Sequence, residues 1–479
     1  MTKKPLIINT GRKRKLPTSN GMKVLITGKN TVTRILSTVR RAQRKSAGVE
    51  AVVRTIIAKV RRDGDKALLE LTRKYDGATL KSLRVSKDEI EQAYKNESQD
   101  VVRALKRAKR NIEKFHSKSL VRKEPAIETE KGVSVWREFR PIERVGLYIP
   151  GGKAAYPSTV LMLGVPAQVA GCREVILCVP PNARGEVPSA VLVAADLCGI
   201  SQIYKVGGAQ AIAGMAYGTK TIPKVSKIFG PGNQYVTTAK LLVYGEADID
   251  MPAGPSEVLV FADASANPAW VAADLLSQLE HGEDSQAILV TLSKPFAEKV
   301  SRKIDTQLAD LTRKAIIQQS LKKSFAIVTD SFDTAISFIN GYAPEHLELV
   351  LKDEAKALAA VNNAGSIFLG PYASEPLGDY ATGANHTLPT SGYAKKFSAL
   401  SVESFGKKIQ VQKVSKQGIR NLRSTVETLA EREGLDAHKN AVSIRFTPLE
   451  AEYQRPTAGN AKKLSNAGGP RSVRASNGV

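Results

Sequence analysis

Four of the five histidines stand in compact polar clusters beside a glycine or a proline: His281 in SQLEHGEDSQ, His346 in YAPEHLEL, His386 in GDYATGANHTLPT and His438 in EGLDAHKNAV. Imidazole titrates near neutral pH and binds metals through its neutral ring, so these clusters suit proton transfer or metal ligation. Gln278 and His281 lie three residues apart on one helical face, just before the stop at Gly282. His281 and His438 offer nitrogen, Asp379 in LGDY a carboxylate, and Gln278 an amide oxygen. Mixed nitrogen and oxygen donors without thiolate suit Zn2+, with Mn2+ or Co2+ as substitutes. Taken singly, Asp379 also reads as a turn cap and Gln278 as a helix-end hydrogen bond. Glu345 and His346 follow Pro344 at the start of a strand. Neighbours on a strand face opposite ways, so both serve one site only from the preceding loop. The pair suits general base work, and equally a self-satisfied Glu–His contact. His116, in a basic helical stretch, reads as a surface residue.

These clusters need elements to hold them. Residues 31–118 are dominated by helical periodicity, with Gly64 and Gly77 as stops. From about 145 short apolar strands alternate with helices: EVILCVP, IYKVGG, SKIFG, then EVLVFAD, QAILVTL, FAIVTD, LELVL and SIFLG. Such alternation with short joins predicts parallel sheets with right-handed crossovers, and its repetition predicts two doubly wound domains. The histidine clusters fall where loops leave the sheet, where such folds place ligands. Three glycine-rich loops, GLYIPGG (146–152), VGGAQAI (206–212) and FGPGNQYV (229–236), permit close approach of backbone to an anionic ligand. No GxGxxG follows any strand, LITGKNT lacks the residues of a phosphate loop, and GxSxG and HExxH are missing.

The chain has 479 residues and a formal net charge of +25. Residues 1–23 carry seven Lys or Arg and no acid, and residues 451–479 carry five against one acid. A basic surface attracts anions, but no zinc-finger spacing or RNP-type motif sharpens this toward nucleic acid, so a solvated basic surface is expected. No apolar run is long enough to span a bilayer, and the start lacks a secretory signal. Three cysteines, Cys172, Cys178 and Cys198, lack CxxC spacing and sit in apolar patterns. They read as core filling in a reducing compartment, here the cytoplasm, although the acid-free start also suits an organelle transit peptide.

Together, in order along residues 35–450, GLYIPGG, VGGAQAI, GPGNQYV, DMPAGPSEVL, SQLEHGEDSQ, APEHLEL, GDYATGANHTLPTSG and EGLDAHKNAV resemble the histidinol dehydrogenase family. The resemblance implies two NAD-linked oxidations of L-histidinol, through L-histidinal to L-histidine, with one bound Zn2+ per subunit. It makes Gln278, His281, Asp379 and His438 the zinc ligands, all four also touching substrate. His346 takes the alcohol proton, Glu345 helps water add to the aldehyde, and both touch substrate too. Ser256, His386 and Glu433 become further substrate contacts, and Tyr148, Gln210 and Asn233 NAD contacts. It also implies a homodimer whose tail reaches the partner's site, with His438 and Glu433 acting there. From the motifs and the apolar runs, neither specific nucleic acid nor membrane is expected as a partner. The fold expected is α/β, two incomplete Rossmann-like doubly wound domains and a small tail. Residues 1–30 form a disordered basic extension, 31–145 with 256–390 the first domain, 146–255 the second, 391–450 the dimerisation segment and 451–479 a disordered basic tail. A nucleic-acid binder without turnover, or an enzyme of the same fold acting on another amino alcohol or a sulfonate, are the competing readings.

Overall fold

The computed structural model describes residues 22–39, 47–151, 155–251 and 254–447. Among them fourteen strands run in chain order: β1 (Lys23–Thr27), β2 (Ile127–Glu130), β3 (Val133–Pro141), β4 (Arg144–Tyr148), β5 (Glu174–Val179), β6 (Gln202–Lys205), β7 (Lys227–Phe229), β8 (Asp248–Ile249), β9 (Glu257–Ala262), β10 (Gln286–Thr291), β11 (Phe325–Thr329), β12 (His346–Val350), β13 (Ser366–Leu369) and β14 (Gly406–Val414).

Strands such as EVLVFA, QAILVT and HLELV are buried at every position. Parallel strands covered on both faces have that continuous apolar composition, because every side chain meets a helix. They form a six-stranded parallel sheet, β1-β11-β10-β9-β12-β13. Alternate residues of β9 serve opposite faces. Val258 and Val260 pack with the helices Pro268–Leu279 and Lys294–Leu308, whereas Leu259 and Phe261 pack with Val32–Val39 and Phe332–Tyr342. A second parallel sheet has the order β6-β5-β4-β7-β8. The α/β class with two parallel, Rossmann-like sheets agrees with the expectation.

The structure departs from several of these expectations. Lys23–Thr27, inside the extension expected over 1–30, pairs in register with β11 as an edge strand. The helices Ala47–Asp63, Asp65–Asp76, Lys87–Asn96 and Gln99–Ser119 were expected with the first sheet, but they cover the second. Val53, Ile57 and Leu68 join Tyr148, Ile176 and Cys178 on one face; Val102, Leu105 and Ile112 join Leu147 and Leu177 on the other. His116 is buried rather than on the surface. It follows Ile112 by one turn, on the stripe this helix presents to the core.

The chain divides into two compact units, 1–121 with 139–407 and 122–138 with 408–479. The first carries both parallel sheets. In the second, β14, β3 and β2 form a three-stranded sheet, followed by the helices Lys416–Arg432 and Asp436–Ser443. The segment expected as 391–450 thus enters its own unit near residue 408 and shares it with the hairpin 122–138. The tail 451–479 and residues 1–21 lie outside the described residues. No described helix is long and apolar enough to cross a membrane.

Candidate active site

At the amino ends of β9 and β12, buried side chains from distant parts of the chain converge. The helix Phe332–Tyr342 ends at Ala343, which has φ 56, and Pro344 then directs the chain into β12. An alanine in the left-handed region is strained and marks an enforced turn. Gly365 packs so closely on this turn that an added Cβ would lie 2.5 Å from the Glu345 carbonyl oxygen. Glu345 thus stands just outside the strand and His346 at its first position, so both point into one cluster.

The Glu257 N–H donates to Glu345 Oε2 at 2.7 Å, and the Glu257 carbonyl lies 3.1 Å from His346 Nδ1. Glu345 and His346 stay 3.7 Å apart, so each is held by β9 rather than by the other. His346 Nε2 faces Asp379 Oδ1 at 3.6 Å and Glu375 Oε1 at 3.9 Å. Gln278, in the last turn of Pro268–Leu279, sets its amide between Glu375 Oε1, 2.9 Å from one terminal atom, and the Glu257 N–H, 3.1 Å from the other. It therefore bridges two elements, beyond a helix-end bond. Asp379 sits in the last turn of the helix Glu375–Tyr380 and is not a cap.

Glu375 is the residue that sequence reasoning missed. It lies four positions before Asp379 on the same short helix, and that i, i+4 spacing was the available signal. Its N–H donates to Glu348 Oε1 at 2.8 Å, and Ser277 Oγ donates to its Oε2 at 3.2 Å. One donor atom each from His281, Glu375 and Asp379 lies within 4.8 Å of the other two.

His386 is fixed between two contacts, Asp379 O to Nδ1 at 3.2 Å and Thr159 Oγ1 to Nε2 at 3.1 Å. Asn385 Nδ2 donates to the Met162 carbonyl at 2.6 Å. These bonds tie the loop after Asp379 to the helix Pro157–Ala170 on the second sheet. Ser256 immediately precedes β9, and its carbonyl accepts from the Gln286 N–H at 3.0 Å. His438 and Glu433 are exposed on the second unit.

The electrostatics would suit a cation. Burial pushes Glu345 up to about 8. Burial also raises Glu375, with Asp379 adding to the rise. Burial would neutralise His346, but the carboxylates Glu345, Asp379 and Glu375 outweigh it and raise the ring to about 10. Asp379 is held low against burial by His346, His386 and His281. Burial lowers His281 and His386, which favours neutral, ligating imidazole. Asp379 Oδ1 and His346 Nε2 are buried without a hydrogen-bond partner. Buried carboxylates, a neutral imidazole and an orphaned oxygen are what a divalent ion satisfies. The carboxyl end of Pro268–Leu279, which presents Gln278 and His281, adds the negative pole of a helix.

A second concavity lies at the carboxyl ends of the five-stranded sheet. It encloses about 990 Å3 and is lined in part by Tyr148, Gln210 and Asn233. Tyr148 Oη accepts from the Gly208 N–H at 3.1 Å, and Asn233 Oδ1 caps the helix Gln234–Val243 by accepting from the Tyr235 and Val236 N–H groups. Gly230, with φ 123, passes so close to β4 that a Cβ would lie 2.1 Å from the Tyr148 carbonyl oxygen. Lys240, buried, donates to the Gly230 carbonyl at 2.9 Å and pairs with buried Asp250. Cys172, Cys178 and Cys198 are free thiols; burial pushes Cys172 and Cys198 up to about 12, so they fill space rather than react.

Residues 39–446 match the family model for histidinol dehydrogenase. A histidinol dehydrogenase of Bacteroides thetaiotaomicron is 52% identical over 400 residues, covering 83% of this chain and 93% of that protein. One from Vibrio parahaemolyticus is 51% identical over 413 residues, covering 86% and 95%. The crystal structure of histidinol dehydrogenase from Elizabethkingia anophelis superposes with a TM-score of 0.86 at 48% identity, covering 89% of this chain and 98% of that one.

Proposed function

This chain belongs to the histidinol dehydrogenase family, and on that footing we propose that it oxidises L-histidinol through L-histidinal to L-histidine with two NAD+. The observation that carries the reading is the group of half-buried His281 with buried Glu375 and Asp379 beside His346, with two polar atoms left unpartnered. Gln278, His281 and Asp379 would hold Zn2+, and Glu375 lies within reach of the same ion. Bound there, the metal would supply a fixed positive charge to orient the substrate's imidazole and amine, and a bound dinucleotide would supply the hydride acceptor.

The protein's own groups manage protons and position. In the first oxidation the alcohol O–H gives its proton to His346 Nε2 as the carbinol C–H leaves with its electron pair. His346 can accept that proton only when neutral, and a cation among its carboxylate neighbours favours this state. In the second, Glu345 takes a proton from the water that adds to the aldehyde, and the hydrate loses hydride and proton in turn. Glu345 is suited to this by burial, which gives it a higher affinity for protons than an exposed carboxylate. Ser256 and His386 flank the cluster and would contact substrate. Confinement at a buried edge keeps the aldehyde from escaping between steps.

His438 and Glu433 are assigned to the site of a second copy in a homodimer. Hybrids formed from His438→Ala and His346→Ala chains then regain activity that neither parent has; no recovery after confirmed subunit exchange overturns the assignment. Free cysteines accord with a cytoplasmic setting. The central test is NADH formation from L-histidinol. Chelation is expected to abolish it and added zinc to restore it, and metal-loaded protein that forms no NADH refutes the proposal. Calorimetric zinc binding to chelator-stripped protein, weakened in Asp379→Asn, tests the ligand set apart from turnover.

A further inference from the structure

Asp76, a half-buried acid, has no part in the mechanism. Asp76 lines the cavity at the carboxyl ends of the five-stranded sheet, along with Tyr148, Gln210 and Asn233. It is the last residue of the helix Asp65–Asp76, followed by Gly77 in the left-handed conformation. A carboxylate there meets the negative pole of its own helix. Burial pushes it up to about 6, with no cation offsetting the shift. Its Oδ2 is buried and has no hydrogen-bond partner. An acceptor kept in this way destabilises the empty protein, and a ligand that donates to it removes the cost.

The rest of the cavity indicates which donor. Gly208 and Asn233 stand at the starts of the helices Gly208–Tyr217 and Gln234–Val243, whose positive N-terminal poles suit phosphate. Val52, Ile56 and the Tyr75 ring supply apolar surface for a flat base. Asp76 offers the third chemistry a nucleotide needs, an acceptor for sugar hydroxyls. A volume of about 990 Å3 can take a dinucleotide.

We propose that the Asp76 carboxylate accepts hydrogen bonds from the vicinal hydroxyls of a dinucleotide ribose and, by its charge, rejects a dinucleotide phosphorylated at the 2′ position. This rests on the reading of the cavity as the dinucleotide site. In doubly wound folds the hydroxyl-binding acid usually follows the glycine loop by about twenty residues. Here a helix that precedes the whole sheet supplies it, which explains why no fingerprint spacing marks it in the sequence.

Binding and steady-state kinetics with NAD and NADP distinguish the outcomes in wild type, Asp76→Asn, Asp76→Glu and Gln210→Ala. Asp76→Asn is expected to raise KM for NAD about tenfold or more, the loss typical of a hydrogen bond to a charged acceptor, with kcat little changed. The preference for NAD over NADP in kcat/KM is expected to fall by at least as much. Asp76→Glu keeps the charge, so it weakens NAD while still rejecting NADP, and it decides the matter should the asparagine variant fail to fold. An unchanged NAD-to-NADP ratio in Asp76→Asn overturns the role of Asp76 alone, provided that wild type binds NAD and Gln210→Ala weakens it. If wild type binds neither dinucleotide, the cavity reading falls and this inference with it.

Discussion

At the carboxyl ends of the five-stranded sheet, helix N-termini stand beside a roomy cavity lined in part by Tyr148, Gln210 and Asn233. At the amino ends of β9 and β12 in the six-stranded sheet, carboxylates, imidazoles and an amide crowd within hydrogen-bond reach. Ligands of doubly wound sheets usually sit at carboxyl ends. The second sheet follows that rule, whereas the first places its acid–base cluster at the opposite edge. The difference follows from helix polarity. Carboxyl edges collect the positive poles of the following helices and suit phosphate, while amino edges collect negative poles and suit a cation. The loop 381–391 joins the two edges through Asn385 to Met162 and His386 to Thr159.

The largest effects test whether the edges divide chemistry from binding. His346→Ala and Glu345→Gln are expected to lower kcat by roughly 10²–10⁴-fold, the usual range for a general acid or base, with little change in KM for NAD. Gln210→Ala is expected to raise KM for NAD instead. A comparable kcat loss in Gln210→Ala, measured in the same assay, removes the contrast.

Next comes the support of the carboxyl-edge loop. Lys240→Met leaves Asp250 as an unpaired buried charge, whose side chain is 2% exposed. Denaturant unfolding should show a loss of about 3–5 kcal/mol. Lys240→Met combined with Asp250→Asn is expected to recover much of it, and equal losses in the single and double variants would contradict the ion-pair account.

The amino edge has a pH-sensitive neighbour in the helix Gln99–Ser119, whose Asn111 Nδ2 donates to the Ala381 carbonyl at 2.7 Å, two residues beyond Asp379. Burial lowers His116 in that helix from 6.5 to about 4. The unfolded chain therefore takes up the proton first as pH falls, so stability is unaffected above about 6.5 and declines between about 6.5 and 4. The full decline is roughly 3 kcal/mol by linkage. His116→Phe should flatten that part of the pH–stability curve; an unchanged slope indicates that other groups produce it.

Smallest is Gly230→Ala. Its Cβ would meet the Tyr148 carbonyl in a backbone region closed to alanine. A cost of about 1–3 kcal/mol is expected, together with weaker NAD binding. Calorimetric NAD affinity equal to wild type would show that the loop can shift without disturbing the cavity.

Much of the site was legible as residue types. Gln278, His281, Glu345, His346, Asp379 and His386 stand out because imidazole and carboxylate beside glycine or proline are uncommon in apolar α/β patterns, and the structure brings these six together. Glu375 was hidden because SEPLGDY contains no histidine and reads as a loop. Glu257 takes part through its backbone, which no side-chain pattern reveals. His438 and Glu433 lie in the second compact unit, and the subunit-mixing experiment tests their place.

By itself the sequence determined the alternation of strand and helix, the parallel sheets that follow from it, the glycine positions and the family. Those properties are local: each rests on a period, a turn residue or a contiguous motif. Tertiary structure decided which sheet the helices of residues 47–119 cover, the pairing of Lys23–Thr27 with a strand some three hundred residues away, the burial of His116, and the use of an amino edge for the acid–base cluster. Amphipathic helices carry an apolar stripe but no address, and a five-residue edge strand with exposed Val24 and Ile26 looks like any basic tail. Where two faces are equally apolar, the choice belongs to the packing of the whole chain.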